Sequence, residues 1–388
     1  MKRFTRREFL DTCSRLGLGA AGAAALPAWA REAAAKASTA AGLSPDLIVR
    51  NDWPEHWETS LEALGRSPIT PNDLFFVRSH FPVPTLEPGS YRLEIAGLVR
   101  RPFKFMLGDL RSLPDVEEAH TLECAGNGRG LYHLPNTSGT QWGHGAVGNA
   151  RWTGARLGEL LRDSGLTPEA KHVWFEAADS APLPGVPPFL RSIPVEKALD
   201  DVILAWRMNG EPLPRLHGGP VRAIVPGWYG MASTKWVTKV RAEATPSDNH
   251  FMVRGYRYAY PGEGPAQAPP VEELRIKSVI TSPLEGARVR AGRLRAAGFA
   301  WAGHAGIDRV EVSLDGGANW LLGPFTSEET PLAWRRWEAE VTLAARGPVT
   351  LMARATDRAG ESQPAEARPN AGGYGNNSIH RVKIDVQA

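Results

Sequence analysis

Cys124 and Cys13 are the only two cysteines in the 388-residue chain, and Cys13 falls in an N-terminal stretch patterned for removal. Without that stretch one thiol remains, and no intramolecular disulfide is available. The remaining thiol sits in Thr121-Leu122-Glu123-Cys124-Ala125-Gly126-Asn127-Gly128-Arg129, a turn of small residues with a guanidinium five positions on. A lone cysteine is most often an inert buried hydrophobe. A glycine-bearing bend beside a cation suits instead a thiolate that binds metal or reacts. Three further stretches concentrate reactive groups. Phe75 to Pro84 carries Arg78 and His80 at spacing two, which would place both on one face of a strand. Arg215 to Arg222 carries His217 and the pair Gly218-Gly219, and Pro226 to Trp236 carries Ser233, Thr234 and Lys235. Cations and hydroxyls on glycine-bearing loops are a common way to hold a phosphate through backbone N–H groups and charge. Zinc is a poor reading of ten histidines and one thiol without Cys-x-x-Cys or His-Glu-x-x-His. No dinucleotide fingerprint or phosphate-loop motif is present, and neither is the Cys-x-x-Cys-His of c-type haem attachment.

The elements that must position these groups divide into two textures. Up to about residue 260 the element types are mixed. Tyr91, Leu93 and Ile95 alternate with polar or small residues as a strand does, and Leu157, Leu160 and Leu161 have helical spacing. Residues 202–208 read as a strand closed by the turn pair Asn209-Gly210. Residues 261–271, rich in proline and glycine, are the expected linker. Beyond it come short alternating strands around Val310, Val312 and Leu314, around Val349, Leu351 and Ala353, and around Val382, Ile384 and Val386, with Asp315-Gly316-Gly317 as a turn. The expected class is therefore α+β: a mixed domain over 45–260, then an immunoglobulin-like sandwich over 272–388 resting on its apolar core alone.

Residues 1–30 read as an export peptide. Thr5-Arg6-Arg7-Glu8-Phe9-Leu10 has the paired arginines of twin-arginine export, a Gly/Ala-rich run follows, and Ala28-Trp29-Ala30 supplies a cleavage site. The run is too short and too poor in large side chains to span a membrane. Residues 31–44 form a small, polar tether. The leader holds five basic and two acidic residues of the chain's 45 and 42, so the remainder carries forty of each and is neutral. Nothing in that balance calls for nucleic acid or an anionic membrane as partner. The expected location is the periplasm.

Taken together and in order, the clusters resemble the sulfite oxidase family of molybdenum-cofactor enzymes, from about residue 45 onward. Arg78-Ser79-His80, Cys124-Ala125-Gly126-Asn127, Trp142, Asp179 with Ser192-Ile193-Pro194, His217 to Arg222 and Ser233 to Trp236 fall in the family's order. Residues 310–317 with Trp320, Arg354 to Asp357 with Gln363-Pro364, and Asn377 with His380 resemble its dimerisation domain. The resemblance implies that Cys124 is the one protein ligand to molybdenum. It implies that His80, Asp179, His217, Arg222, Ser233, Thr234 and Lys235, with Arg78, hold the molybdopterin, and that Arg78, Arg129, Trp142 and Tyr256 line the substrate pocket. It implies oxidation of sulfite to sulfate by a homodimer without haem of its own, with electrons passing to a c-type cytochrome or, second, to oxygen. A reductase of S-oxides such as methionine sulfoxide, or an inactive binding protein on the same fold, are the alternatives. Two positions depart from the family's pattern: Gly128 stands where an arginine is usual, and residues 372–377 lack the arginine that animal and plant members bring to the pocket.

Overall fold

The structure is a computed structural model that describes residues 43–388, apart from 133, 135, 136, 182 and 345. The expected export peptide, and all but the end of the tether, lie outside the described residues.

Two sheets and a small third one carry the first domain. In one, the strands run in the order Phe103–Met106, Arg92–Gly97, Val237–Glu243, His172–Ala177, Leu190–Pro194. Arg92–Gly97 and Val237–Glu243 are parallel, and the other pairs antiparallel. Alternation explains the faces: Leu93 and Ile95 are fully buried while Arg92 is exposed. The second sheet pairs Val116–Glu123 with Val147–Arg156 and the latter with Ile203–Met208, which also takes Arg222–Ile224 along its length. Between these layers lies a core including Phe175, Leu204, Trp206 and Val240. The helix Leu157–Ser164 buries Leu157, Leu160 and Leu161 against it and stops at left-handed Gly165. The third sheet, Leu47–Asn51, His56–Thr59 and Val77–Arg78, ends at Arg78. The expectation that Arg78 and His80 share a strand is therefore corrected. The chain leaves the ladder after Arg78, and Ser79 is pinned by Glu55 and His56.

The second domain is a two-sheet sandwich. Lys277–Ser282, Gly292–Trp301 and Arg335–Leu343 form one sheet; Arg288–Arg290, His380–Gln387, Gly347–Asp357, Ile307–Ser313 and Leu321–Leu322 form the other. His380–Gln387 alternates buried and exposed through all eight residues, so its Val and Ile side chains meet Trp337 and Val341 in the core. Residues 261–271 do not hang free. Ala268 and Val271 are buried, Tyr258 N donates to Pro269 O at 2.9 Å and Val271 N to Tyr256 O at 2.9 Å. A third core joins the domains, with Phe81, Val147 and Tyr229 from the first packing among Val279, Phe299, Trp301 and Trp334 from the second.

Candidate active site

The Cys124 turn begins where the strand Val116–Glu123 ends. Cys124 N donates to Ala146 O at 2.9 Å, and Asn127 N returns to Cys124 O at 2.8 Å, closing the bend. The Asn127 side-chain carbonyl accepts from Ala146 N at 3.1 Å. Gly126 leaves room for Arg129, whose guanidinium carbon would lie 2.7 Å from a Cβ there and would have to shift. The turn thus holds a half-buried thiol at the wall of a cleft.

That cleft gathers most of the residues singled out by sequence. Arg78, His80, Cys124 and Tyr256 border it, and so do Asp179, His217, Arg222, Ser233, Thr234 and Lys235. Arg222 ties the two glycine-bearing loops together by donating to His217 O at 2.8 Å and Ser233 O at 2.9 Å. The Ser233 hydroxyl accepts from Val225 N at 2.9 Å. Lys235 Nζ donates to Ser79 Oγ at 3.0 Å and Leu216 O at 3.1 Å, crossing from one loop to the Arg78 stretch. Gly218 adopts φ 107°, and a Cβ there would meet Lys235 Cβ at 2.9 Å. The loop can therefore carry no other residue without moving its cations.

Desolvation governs the ionisation of these groups. It holds His217 down at about 3, so its Nε2 carries the proton given to Asn72 O at 2.8 Å. It lowers Lys235 to about 7, helped by the neighbouring Arg222, and lowers Arg222 to about 9. It raises Asp179 to about 6 against the pull of Lys235. Also lining the cleft, His80 Nε2 and the Tyr256 hydroxyl share a 2.7 Å hydrogen bond, and the imidazole stacks on Phe189 at 3.9 Å between ring centres. Desolvation holds His80 well below its ordinary value and pushes Tyr256 up to about 12, so the pair is neutral at pH 7.

Two expected pocket residues, Arg129 and Trp142, are not among those that line this cleft. Arg129 Nε donates to Gly372 O at 2.8 Å and NH1 to Thr140 O at 2.9 Å, with the guanidinium 5.2 Å from the Tyr374 ring centre. It starts a short 3-10 turn, Arg129–Tyr132, and folds back over Gly126, so it braces the turn instead of bordering the cleft. Trp142 is 1% exposed and packs near His56, also away from the cleft lining. The second domain reaches the same turn: Gly375 N donates to Ala125 O at 2.9 Å and Asn376 Nδ2 to Gly128 O at 2.8 Å. Tyr374 stacks on Tyr256 at 5.2 Å and fills the space beside Gly372, where a Cβ would lie 2.1 Å from its ring.

Sequence reasoning missed Arg191, which is 2% exposed and sits 5.3 Å from the Tyr256 ring centre. Its place beside Ser192-Ile193-Pro194 was the available signal, but nothing in a strand of mixed polarity marks one arginine as inward. It also missed Ser79 as the acceptor for Lys235, a contact between residues 156 positions apart.

Among the described residues no three His, Cys, Asp or Glu side chains converge as a metal cage. A metal held by Cys124 would draw its other donors from outside the chain. The cleft fits a group that brings them: Arg78 NH1, Arg222 Nε and Thr234 Oγ1 are buried there without a partner, beside Lys235. Three unpaired donors and an ammonium match phosphate and polar ring edges.

Comparison with known proteins points the same way. Residues 80–251 match the family described as oxidoreductase molybdopterin binding domain, and residues 268–387 the Mo-co oxidoreductase dimerisation domain. The mitochondrial sulfite oxidase of Homo sapiens is 36% identical over 366 residues, covering 88% of this chain; the chain spans 66% of that relative's length. The sulfite oxidase of Arabidopsis thaliana is 34% identical over 371 residues, covering 88% of this chain and 94% of its own. The sulfane dehydrogenase SoxCD of Paracoccus pantotrophus superposes with a TM-score of 0.77 at 32% identity, over 89% of this chain and 88% of that one. With a cysteine turn, a phosphate-competent cleft and both family domains in order, the chain belongs to the sulfite oxidase family of molybdenum-cofactor oxidoreductases.

Proposed function

We propose that the protein oxidises sulfite to sulfate with water as oxygen source, releasing two protons and two electrons to an external acceptor such as a c-type cytochrome. The observation that carries this reading is the convergence of the Cys124 thiol, the Arg78 guanidinium and the unpartnered cofactor-loop donors on one cleft. Cys124 would ligate molybdenum, a metal suited to a soft thiolate. Arg222, Thr234, Lys235 and neutral His217 would hold the pterin and its phosphate, with Asp179 and His80 beside them. When bound, the cofactor supplies the oxygen-atom and two-electron chemistry. The chain's own part is to bind and orient. Arg78, with an unpaired buried N–H, receives the oxyanion. The Tyr256 hydroxyl, kept protonated and fixed by His80, offers a directed hydrogen bond at the same rim. The dimerisation domain supports a homodimer. The paired arginines of the leader support twin-arginine export to the periplasm.

A second reading has its own support. With Arg129 bonded to Gly372 O and Thr140 O and Tyr374 occupying the space beside Gly372, the arginines bordering the cleft among the described residues are Arg78 and Arg222, and Arg222 is committed to the carbonyls of His217 and Ser233. A less charged sulfur compound would suit such a site, in keeping with the likeness to a sulfane dehydrogenase. Metal analysis followed by assays with sulfite and with other reduced sulfur compounds, using cytochrome c and ferricyanide as acceptors, separates the readings. Purified protein without molybdenum would overturn both.

A further inference from the structure

Glu123, the residue before the thiol, points away from the cleft into the boundary between the two domains. Its side chain is 2% exposed. One oxygen accepts from Lys277 Nζ at 2.9 Å and from Asn127 Nδ2 at 2.9 Å; the other accepts from the Trp301 indole N–H at 2.9 Å. Its backbone carbonyl takes Gly230 N at 2.7 Å, from the loop that carries the cofactor-side hydroxyls. Lys277 and Trp301 belong to the sandwich, on its strands Lys277–Ser282 and Gly292–Trp301, which pair residue for residue at this point. The Lys277 side chain is 3% exposed, so this is a dry ion pair across the domain boundary. Two imidazoles lie near Lys277, His144 and His380, 4.1 Å apart between ring centres. Desolvation and the ammonium hold both well below their ordinary values, so neither adds charge at neutral pH.

Burying a carboxylate and an ammonium is costly, and exchanging the pair for apolar residues is often neutral or stabilising. Here the pair lies one residue from the thiol and shares Asn127 with the turn that holds it. We propose that Lys277, through Glu123 and Asn127, is a positioning residue for the metal ligand: the second domain fixes the orientation of the Cys124 turn and balances the charge beside it. Interactions one step behind a ligand set its geometry and the electronic properties of its metal. The low-dielectric surroundings let each charge act on the metal with little screening. The inference rests on the molybdenum reading above.

The test is a double-mutant cycle on the cofactor-loaded full chain, read as the metal's midpoint potential and the Mo(V) spectrum, with molybdenum content and Tm measured alongside. Lys277→Met removes a cation and shifts the potential downward. Glu123→Gln removes an anion and shifts it upward. The double variant lies between the two singles. If Lys277→Met does not fold, Glu123→Gln, which has the same shape but one acceptor oxygen in place of two, is compared with the double variant, and the upward shift must shrink when the lysine is also removed. A purely structural pair would lower Tm and leave potential and spectrum at their parent values, and that result would overturn the inference alone. Single variants that shift the potential in the same direction would also overturn it. A parent protein without molybdenum would overturn the cofactor reading and this inference together.

Discussion

At the scale of single residues, the chain separates groups that meet the substrate from groups that hold those groups in place. Cys124→Ser should abolish turnover and leave the fold, because a hydroxyl is a poor substitute for a soft thiolate. Wild-type sulfite oxidation by a cofactor-loaded Ser variant would remove the ligand assignment. Arg78 and Arg129 looked alike from sequence, yet their substitutions should differ. Arg78→Gln removes a charge-assisted hydrogen bond worth about 1.5–3 kcal/mol, so KM for an anionic substrate should rise roughly 10- to 150-fold. Arg129→Gln removes donors from Gly372 O and Thr140 O, so its effect should fall on Tm, with KM changed less. Steady-state kinetics and thermal melts of the two variants check the contrast, and equal KM effects would place Arg129 in the pocket. The sequence could not separate them, because both are arginines on turns beside reactive residues. What distinguishes them is the bend of Arg129 back over Gly126, and a one-dimensional pattern does not carry that.

At the scale of elements, what could be read was periodic or local. The strand His380–Gln387, the helix Leu157–Ser164 and the glycine-bearing loops follow from alternation, helical spacing and turn chemistry. His80 was misplaced because spacing two cannot tell a strand from an extended segment that has left its ladder. The loops make a prediction of their own. Lys235 has its pKa lowered from 10.5 to about 7 in the folded chain. Between those values the unfolded chain holds a proton that the folded chain has lost, so this lysine makes the cofactor-free protein more stable as pH rises across that window. Asp179, raised from 3.8 to about 6, acts oppositely: its contribution is present below 3.8 and is lost as pH rises through 6. A bound phosphate would restore the lysine's charge. Inorganic phosphate binding to the cofactor-free chain at pH 8 should therefore take up close to one proton, and Lys235→Met should take up none. Calorimetry in buffers of different ionisation enthalpy measures this, and zero uptake by the parent chain would contradict it.

At the scale of the whole molecule, the two domains share a core and a polar seam. They should unfold in one transition, with near-ultraviolet and far-ultraviolet signals melting together, and a first phase confined to the sandwich would contradict this. The change of texture near residue 261 is what the sequence offers as a boundary. That the same stretch folds back onto Tyr256 and Tyr258 was not legible, because two buried apolar residues in a run of proline and glycine make no periodic pattern and the backbone hydrogen bonds beside them leave no trace in side-chain type. The match of residues 268–387 to a dimerisation domain leads to a mass by light scattering of twice the chain at assay concentration. The mass of one chain would remove the dimer.

The clasp of residues 372–376 on the cysteine turn also sets an order in time. Asn376 reaches back 248 positions to Gly128, and Arg129 waits for Gly372, 243 positions later. While the chain is being made, the first domain can emerge from the ribosome with every residue of its cleft and still lack the hydrogen bonds that finish the turn. Capture of a cofactor by the completed site then waits for residues 372–376, and a nascent chain stalled before residue 372 should not retain it.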